Sequence, residues 1–210
     1  MRRTVAAVLI PALFALSAAA HGAESKRTLP GFIAINAKGA FSMKVQVGDA
    51  QSVVVSGEDK FVSMLKTEVI DNELQVILPD KQFTSAKGAP TVTITVPSLS
   101  RVKLEGAGET QLHNINTDRI DISYLGAGQL VADGKVKYLR LSAKGVGRVD
   151  TRKLQAERVD VQFEGVGNIS VYASDLLNAV AKGIGGLTYY GHPKKVNKEV
   201  AGIGSIQAGE

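Results

Sequence analysis

A Gly-x-Gly triplet returns six times in the second half of the chain, beginning at Gly106, Gly126, Gly145, Gly165, Gly183 and Gly202 and closing at Gly108, Gly128, Gly147, Gly167, Gly185 and Gly204. Successive starts are 20, 19, 20, 18 and 19 residues apart. A period that regular marks a repeat architecture, and it constrains the fold more tightly than any local propensity.

Registering the copies on the first glycine gives the secondary structure. Two residues before it stand Leu104, Tyr124, Ala143, Phe163, Ala181 and Val200; four after it stand Thr110, Leu130, Val149, Ile169, Leu187 and Ile206. Largely apolar residues at even offsets, with polar ones between, give the period of a strand with one buried face. One such unit is too thin to bury its own face, so neighbours must stack on it. The expectation is an all-β, β-helix or β-solenoid-like stack of about 19-residue coils, roughly 25 to 30 Å long at the usual strand spacing.

The triplet itself poses a conflict. Its central residue runs Ala107, Ala127, Val146, Val166, Ile184, Ile203, always apolar, which argues for burial, whereas strict alternation would turn both glycines inward and this residue outward. A bend or bulge at the glycines, using the φ > 0 that glycine tolerates, would reset the register. On that reading the glycines are structural corners. Phosphate cradling needs a wider fingerprint and a following helix, and neither GxGxxG nor GxxxxGK[ST] occurs at any triplet.

Five residues before each triplet stand Arg101, Asp121, Arg140, Asp160, Asn178 and Asn197. In a stack these become lateral neighbours of alternating sign, ending in two amides that can hydrogen-bond. Glu105 and Glu164 share another column with Lys144 and Lys182. Both patterns read as surface ladders rather than catalytic pairs.

Residues 24–100 lack the triplet but are strand-rich. FSMKVQV and TVTITV alternate cleanly, TEVIDNELQVILP offers two strands around an Asp71-Asn72 turn, and FTSAKGAP reads as a loop. The division is therefore a leader at 1–23, a β-rich part at 24–100 and the repeat part at 101–210, with 24–210 expected to form one continuous domain. The leader carries Arg2 and Arg3, an apolar run too short to span a bilayer, and small residues before Ala20 and Ala23, the tripartite pattern of a secretory signal peptide. With no cysteine, a disulfide framework is excluded; the expected location is periplasmic, secreted or cell-surface. No membrane span is expected after removal of the leader. The formal charge of +5 falls to +3 without Arg2 and Arg3 and is dispersed, so no nucleic-acid footprint is present.

Chemistry is sparse. His21, His113 and His192 have no metal-type partner at short spacing. A calcium β-roll would need aspartates repeatedly after its glycines, and only Asp150 occupies the fifth position. There is no GxSxG, HExxH or cysteine nucleophile. No cofactor, metal or catalytic residue is therefore expected. Lys194 and Lys195, in GHPKKVNK, are the densest positive spot and a candidate anion contact.

The segments FIAINAKGAFSMKVQVGDAQSVVVSGED, VIDNELQVILP, VKLEGAGETQL, ISYLGAGQLVADG, LSAKGVGRVD, VQFEGVGNISVYA and VAGIGSIQ together resemble the bacterial family named putative auto-transporter adhesin head GIN domain, formerly a domain of unknown function, over about residues 30–208. Gly167-Asn168-Ile169 is nearest to a glycine-asparagine family motif. The resemblance implies a β-helix-like fold and an envelope or surface location, and it brings no catalytic residues. The reading is a non-catalytic binding or scaffolding module for a glycan, polymer or envelope protein. The alternatives are a polysaccharide-acting β-helix enzyme and a module that self-associates through its C-terminal coil, whose edge would lack a partner strand.

Overall fold

The computed structural model describes residues 23–79 and 90–210; 81% of these lie in strands and 3% in helix, so the protein is all-β. The expected leader lies in residues 1–22, outside the described residues, apart from Ala23; so does most of the expected FTSAKGAP loop.

Among the described residues, eight strands precede the last: β1 (Ala23–Arg27), β2 (Ala34–Ala40), β3 (Ser42–Val47), β4 (Ser52–Gly57), β5 (Lys66–Ile70), β6 (Glu73–Ile77), β7 (Thr91–Val96) and the 90-residue β8 (Arg101–Tyr190), followed by β9 (Lys195–Ala208). They make one nearly closed, barrel-like sheet in the order β1-β4-β7-β3-β8-β2-β6-β5, and β9 adds onto β8. The one helix among the described residues, α1 (Asp59–Met64), is missed by strand periodicity; it buries Phe61 completely.

The N-terminal strands follow their alternation. Met43 and Val45 of β3 and Val92, Ile94 and Val96 of β7 are buried while their neighbours are not. β5 and β6 form the expected hairpin, with Ile70 opposite Glu73. Asp71 and Asn72 take φ of 50° and 60°, the pair of left-handed residues that a two-residue turn matching strand twist requires.

At 3.3 Å per residue β8 would stretch about 300 Å if straight; instead it lies beside itself. A Cβ placed on Gly126, Gly145, Gly165 or Gly183 would fall on the carbonyl oxygen of Gly106, Gly126, Gly145 or Gly165 respectively, so residues one repeat apart are lateral neighbours. β9 continues the pattern, pairing in parallel from Leu176↔Lys195 to Tyr189↔Ala208. The N-terminal half joins the same sheet: β2 and β3 pair in parallel with β8, Gly39 opposite Gly106 and Met43 opposite Thr110. Gly39-Ala40-Phe41 is thus a further level of the glycine column. It lacks the triplet signature because Phe41 replaces the second glycine, and 67 residues separate it from the next copy.

The structure corrects the expected burial of the central residue. The offset between chain segments is 67 residues both before and after the triplet in the first pairing, and the β8–β9 register runs unbroken through Gly183, Ile184 and Gly185. Alternation carries across the triplet, and the central residue points out: Val146 is 56% exposed, Val166 46%, Ile184 53% and Ile203 77%. Apolar character at this position therefore does not signal burial. The expectation of positive φ holds, as at Gly165 with φ +146°, a conformation close to glycine-only.

The triplet glycines bring no side chain to the space beside them. Tyr124 and Phe163, alternating with the small Ala143 and Ala181 two positions before the triplet, fill it from every second level. Residual cavities of about 20 and 10 Å³ remain against Tyr124, and its hydroxyl is buried without a hydrogen-bond partner.

Candidate binding surface

Because levels register on one another, outward side chains fall into columns. The central triplet residues form a ridge from Ala107 to Ile203, placed where the β2-type and β3-type segments of each level meet. Leu125, in the adjoining column, adds a further apolar side chain at 49% exposure.

On the wall before the ridge, the column next to it holds ion pairs. Lys38 meets Glu105 at 2.8 Å and Lys144 meets Glu164 at 3.0 Å. All four are substantially exposed, so each pair contributes about 0 to 1 kcal/mol. Glu105 and Glu164 sit three levels apart.

The column five residues before the triplet behaves as expected at one end only. The Asn197 amide donates to Asn178 Oδ1 at 2.8 Å and Asn178 donates to Asp160 Oδ1 at 2.6 Å. Asp160 also accepts from Tyr138 Oη at 2.5 Å and from Arg158. Burial would raise its carboxyl pKa, but these donors outweigh burial and hold it below the ordinary range. Tyr138 is sandwiched between the guanidinium groups of Arg119 and Arg158, 5.0 and 4.9 Å from its ring centre. The expected Arg101–Asp121–Arg140 ladder does not form. Asp121 is taken by Arg119, two residues earlier on its own strand, at 2.9 and 3.0 Å, and Arg101 turns to Glu73 at 3.1 Å. A same-strand partner two positions away already shares the face, so it competes directly with the lateral neighbour.

This wall is hollowed where the column three residues before the triplet shortens to Ser123 and Ser142. Arg101, Lys103, Asp121 and Arg140 surround those serines in a depression of about 250 Å³. Its signal in the sequence is faint: two successive serines in a column that has Lys103 on one side and Gln162 on the other.

The wall after the ridge is polar. His113 Nδ1 lies 2.5 Å from Asp133 Oδ2, and the Asn114 N–H donates to Asp133 Oδ1 at 2.8 Å; these bonds overcome burial and lower the Asp133 pKa. Arg152 binds Asp150 through both carboxylate oxygens and holds that carboxyl below its ordinary range. It also lies 5.6 Å from the Tyr190 ring centre. Among the described residues no three His, Cys, Asp or Glu side chains are grouped to hold a metal ion.

Of the sequence-derived candidates, the glycines are brought together in one column. Lys194 and Lys195 lie at the far end of the repeat. Lys194 is bound to Asp175 at 2.9 Å, and only Lys195 of the two has no partner among the described residues. Among the described residues, one edge of β9 carries no strand. Among the described residues, no helix is long and apolar enough to cross a membrane.

Residues 31–193 match the model of a family described as "Putative auto-transporter adhesin, head GIN domain". A crystal structure of a putative adhesin from Bacteroides fragilis superposes with a TM-score of 0.71 at 23% identity, covering 89% of this chain and 96% of that one. A putative lipid binding protein from Parabacteroides distasonis superposes with a TM-score of 0.50 at 19% identity, over 91% and 98% of the two chains. At these identities the likeness is one of fold. Among curated proteins, none matches the chain.

Proposed function

The chain belongs to the family described as putative auto-transporter adhesin, head GIN domain, and from that membership we propose that it is an exported, non-catalytic module whose units stack as a β-solenoid and present their outward columns to a glycan, polymer or protein of the bacterial envelope. The observation that carries this reading is the ridge of Val146, Val166, Ile184 and Ile203, all exposed on levels whose inward positions are well packed. Extended apolar surface of this kind on an otherwise polar exterior marks a place that another surface covers. With levels about 4.8 Å apart, six of them make an edge about 24 Å long, suited to an extended polymer rather than an enclosed small molecule. Export follows from the expected leader.

Catalysis fits poorly. Three levels put Glu105 and Glu164 about 14 Å apart, whereas paired glycosidase carboxylates work at roughly 5 to 9.5 Å. Each is also bound to a lysine. A second reading rests on the edge of β9 that no described strand pairs, where Val200 is 44% exposed: that edge would pair with another copy. Light scattering at high concentration decides it, since a strict monomer rules that reading out.

The main reading is tested by applying the purified mature protein to an array of glycans and cell-wall polymers, with breakdown assayed on the same panel. The expected result is saturable binding, weakened by Val146→Ser with Val166→Ser, and no breakdown. Release of fragments would make the protein an enzyme and overturn it.

A further inference from the structure

Three features compete for attention outside the ridge: the free edge of β9, the His113–Asp133 pair, and the depression around Ser123 and Ser142. The edge has no feature that selects its occupant, and the His113–Asp133 pair is satisfied within the chain. The depression combines a hollow, a hydrogen-bonding floor and uncompensated charge.

Its charge balance is set residue by residue. Arg101 is neutralised by Glu73, and Asp121 by the two-pronged contact from Arg119. Lys103 and Arg140 are exposed, and neither has an ion-pair or hydrogen-bonding partner among the described residues. They stand on the levels either side of Ser123, two strand spacings and two residues apart. That is about 12 Å between backbones, and both side chains line the hollow together with Ser123 and Ser142. The remaining uncompensated charge in the hollow is therefore cationic, and the floor supplies two hydroxyls that donate or accept.

We propose that this depression, formed by Lys103, Ser123, Arg140 and Ser142, is a binding site for an oxyanion-bearing unit of an acidic polysaccharide or polyol polymer. Arg140 presents a planar fork matched to a carboxylate or phosphate, and Lys103 a point charge; the serines meet neighbouring hydroxyls of the same unit. At about 250 Å³ the hollow is smaller than the roughly 300 to 1,000 Å³ of sites that enclose a ligand. It therefore holds one charged unit of a chain that continues across the wall. The ridge lies beyond the ion-paired column on that same side, so one strand of polymer can cross both. The proposal rests on the envelope-binding reading and names the chemistry that reading leaves open. Uronates and phosphodiesters share this chemistry, and the test separates them.

The experiment measures binding of the mature protein to polygalacturonate, to poly(glycerol phosphate) and to neutral dextran. Three proteins are compared: wild type, Lys103→Gln with Arg140→Gln, and Lys26→Gln with Lys66→Gln, exposed on β1 and β5 away from the hollow, as a control of equal charge change. The expected result is a loss of about tenfold or more for one or both acidic polymers in the first variant, with the control and dextran binding unchanged. The polymer that responds identifies carboxylate or phosphate. Equal losses in both variants would mean diffuse charge attraction and would overturn the site, as would unchanged binding in the first variant; the envelope-binding reading would survive either result. If wild type binds no polymer on this panel, the site is overturned, and binding elsewhere on the wider array then decides the parent reading separately. All four lysine and arginine positions are exposed, so far-ultraviolet circular dichroism is expected to report the same fold in each variant.

Discussion

Replacing Gly165 by alanine probes the column that organises the whole molecule. Gly165 has φ of +146°, and a Cβ there would fall on the Gly145 carbonyl oxygen, with the Gly145 carbonyl carbon and nitrogen each 2.9 Å away. Nothing flexible can yield, because the obstacle is backbone paired on its other side to the next level. Forcing a non-glycine residue into this conformation costs roughly 1 to 3 kcal/mol. Moving the two backbones apart weakens lateral hydrogen bonds worth about 1 kcal/mol each. The sum, roughly 3 to 5 kcal/mol, is a large part of the 5 to 15 kcal/mol that stabilises a typical domain. At about 2 to 4 °C per kcal/mol for a chain of this size, the melting point falls by roughly 6 to 20 °C. The adjacent Val166→Ala removes an outward side chain and is expected within about 0.5 kcal/mol of wild type. Urea unfolding of the two variants side by side gives both numbers. The reasoning is refuted if Gly165→Ala costs less than 1 kcal/mol, or if Val166→Ala costs as much as its neighbour.

Tyr124→Phe removes a buried hydroxyl that has no partner. The change is expected to be neutral or to stabilise by about 1 kcal/mol in the same unfolding assay; a loss of that size would instead place a water in the adjoining cavity as its partner. The Arg152 bonds lower the Asp150 pKa, so the stability they contribute is fully present above the unfolded carboxyl pKa, near 3.8, and is lost as pH falls through the lower folded value. Melting points should be flat from about pH 7 to 5 and drop below about pH 4. Asp150→Asn should melt lower than wild type at neutral pH and lose less on acidification; parallel curves would contradict the assignment.

Much of this was legible in the residues. Period and alternation identify an all-β chain and place the inward positions two before and four after each triplet, because burial on one face of a strand writes itself into every second residue. What sequence could not do was weigh one apolar signal against another. Ile184 and Ile203 look like core residues in isolation, and only the unbroken register turns them outward. The level at Gly39 was hidden because its second glycine is Phe41, whose own backbone carbonyl lies where a Cβ on Gly108 would go. The charge ladders were half right: the amides Asn178 and Asn197 have no same-strand partner and reach sideways, whereas Asp121 has Arg119 two residues away. The depression escaped notice because a missing side chain, serine between longer neighbours, leaves no motif.

Lateral alignment of successive ridge residues underlies both the ridge and the depression, and the chain has no cysteine to interfere with measuring it. In the double variant Val146→Cys with Val166→Cys, adjacent levels place the two backbones about 4.8 Å apart, within the 4.4 to 6.8 Å range that a disulfide bridges. Mild oxidation at low protein concentration should close an intramolecular bond in most molecules, seen by intact mass and by linked peptides after digestion. The pair Val146→Cys with Ile184→Cys, two levels apart, should remain reduced. Closure of the second pair but not the first would contradict the stacked arrangement and, with it, the surface assigned to binding.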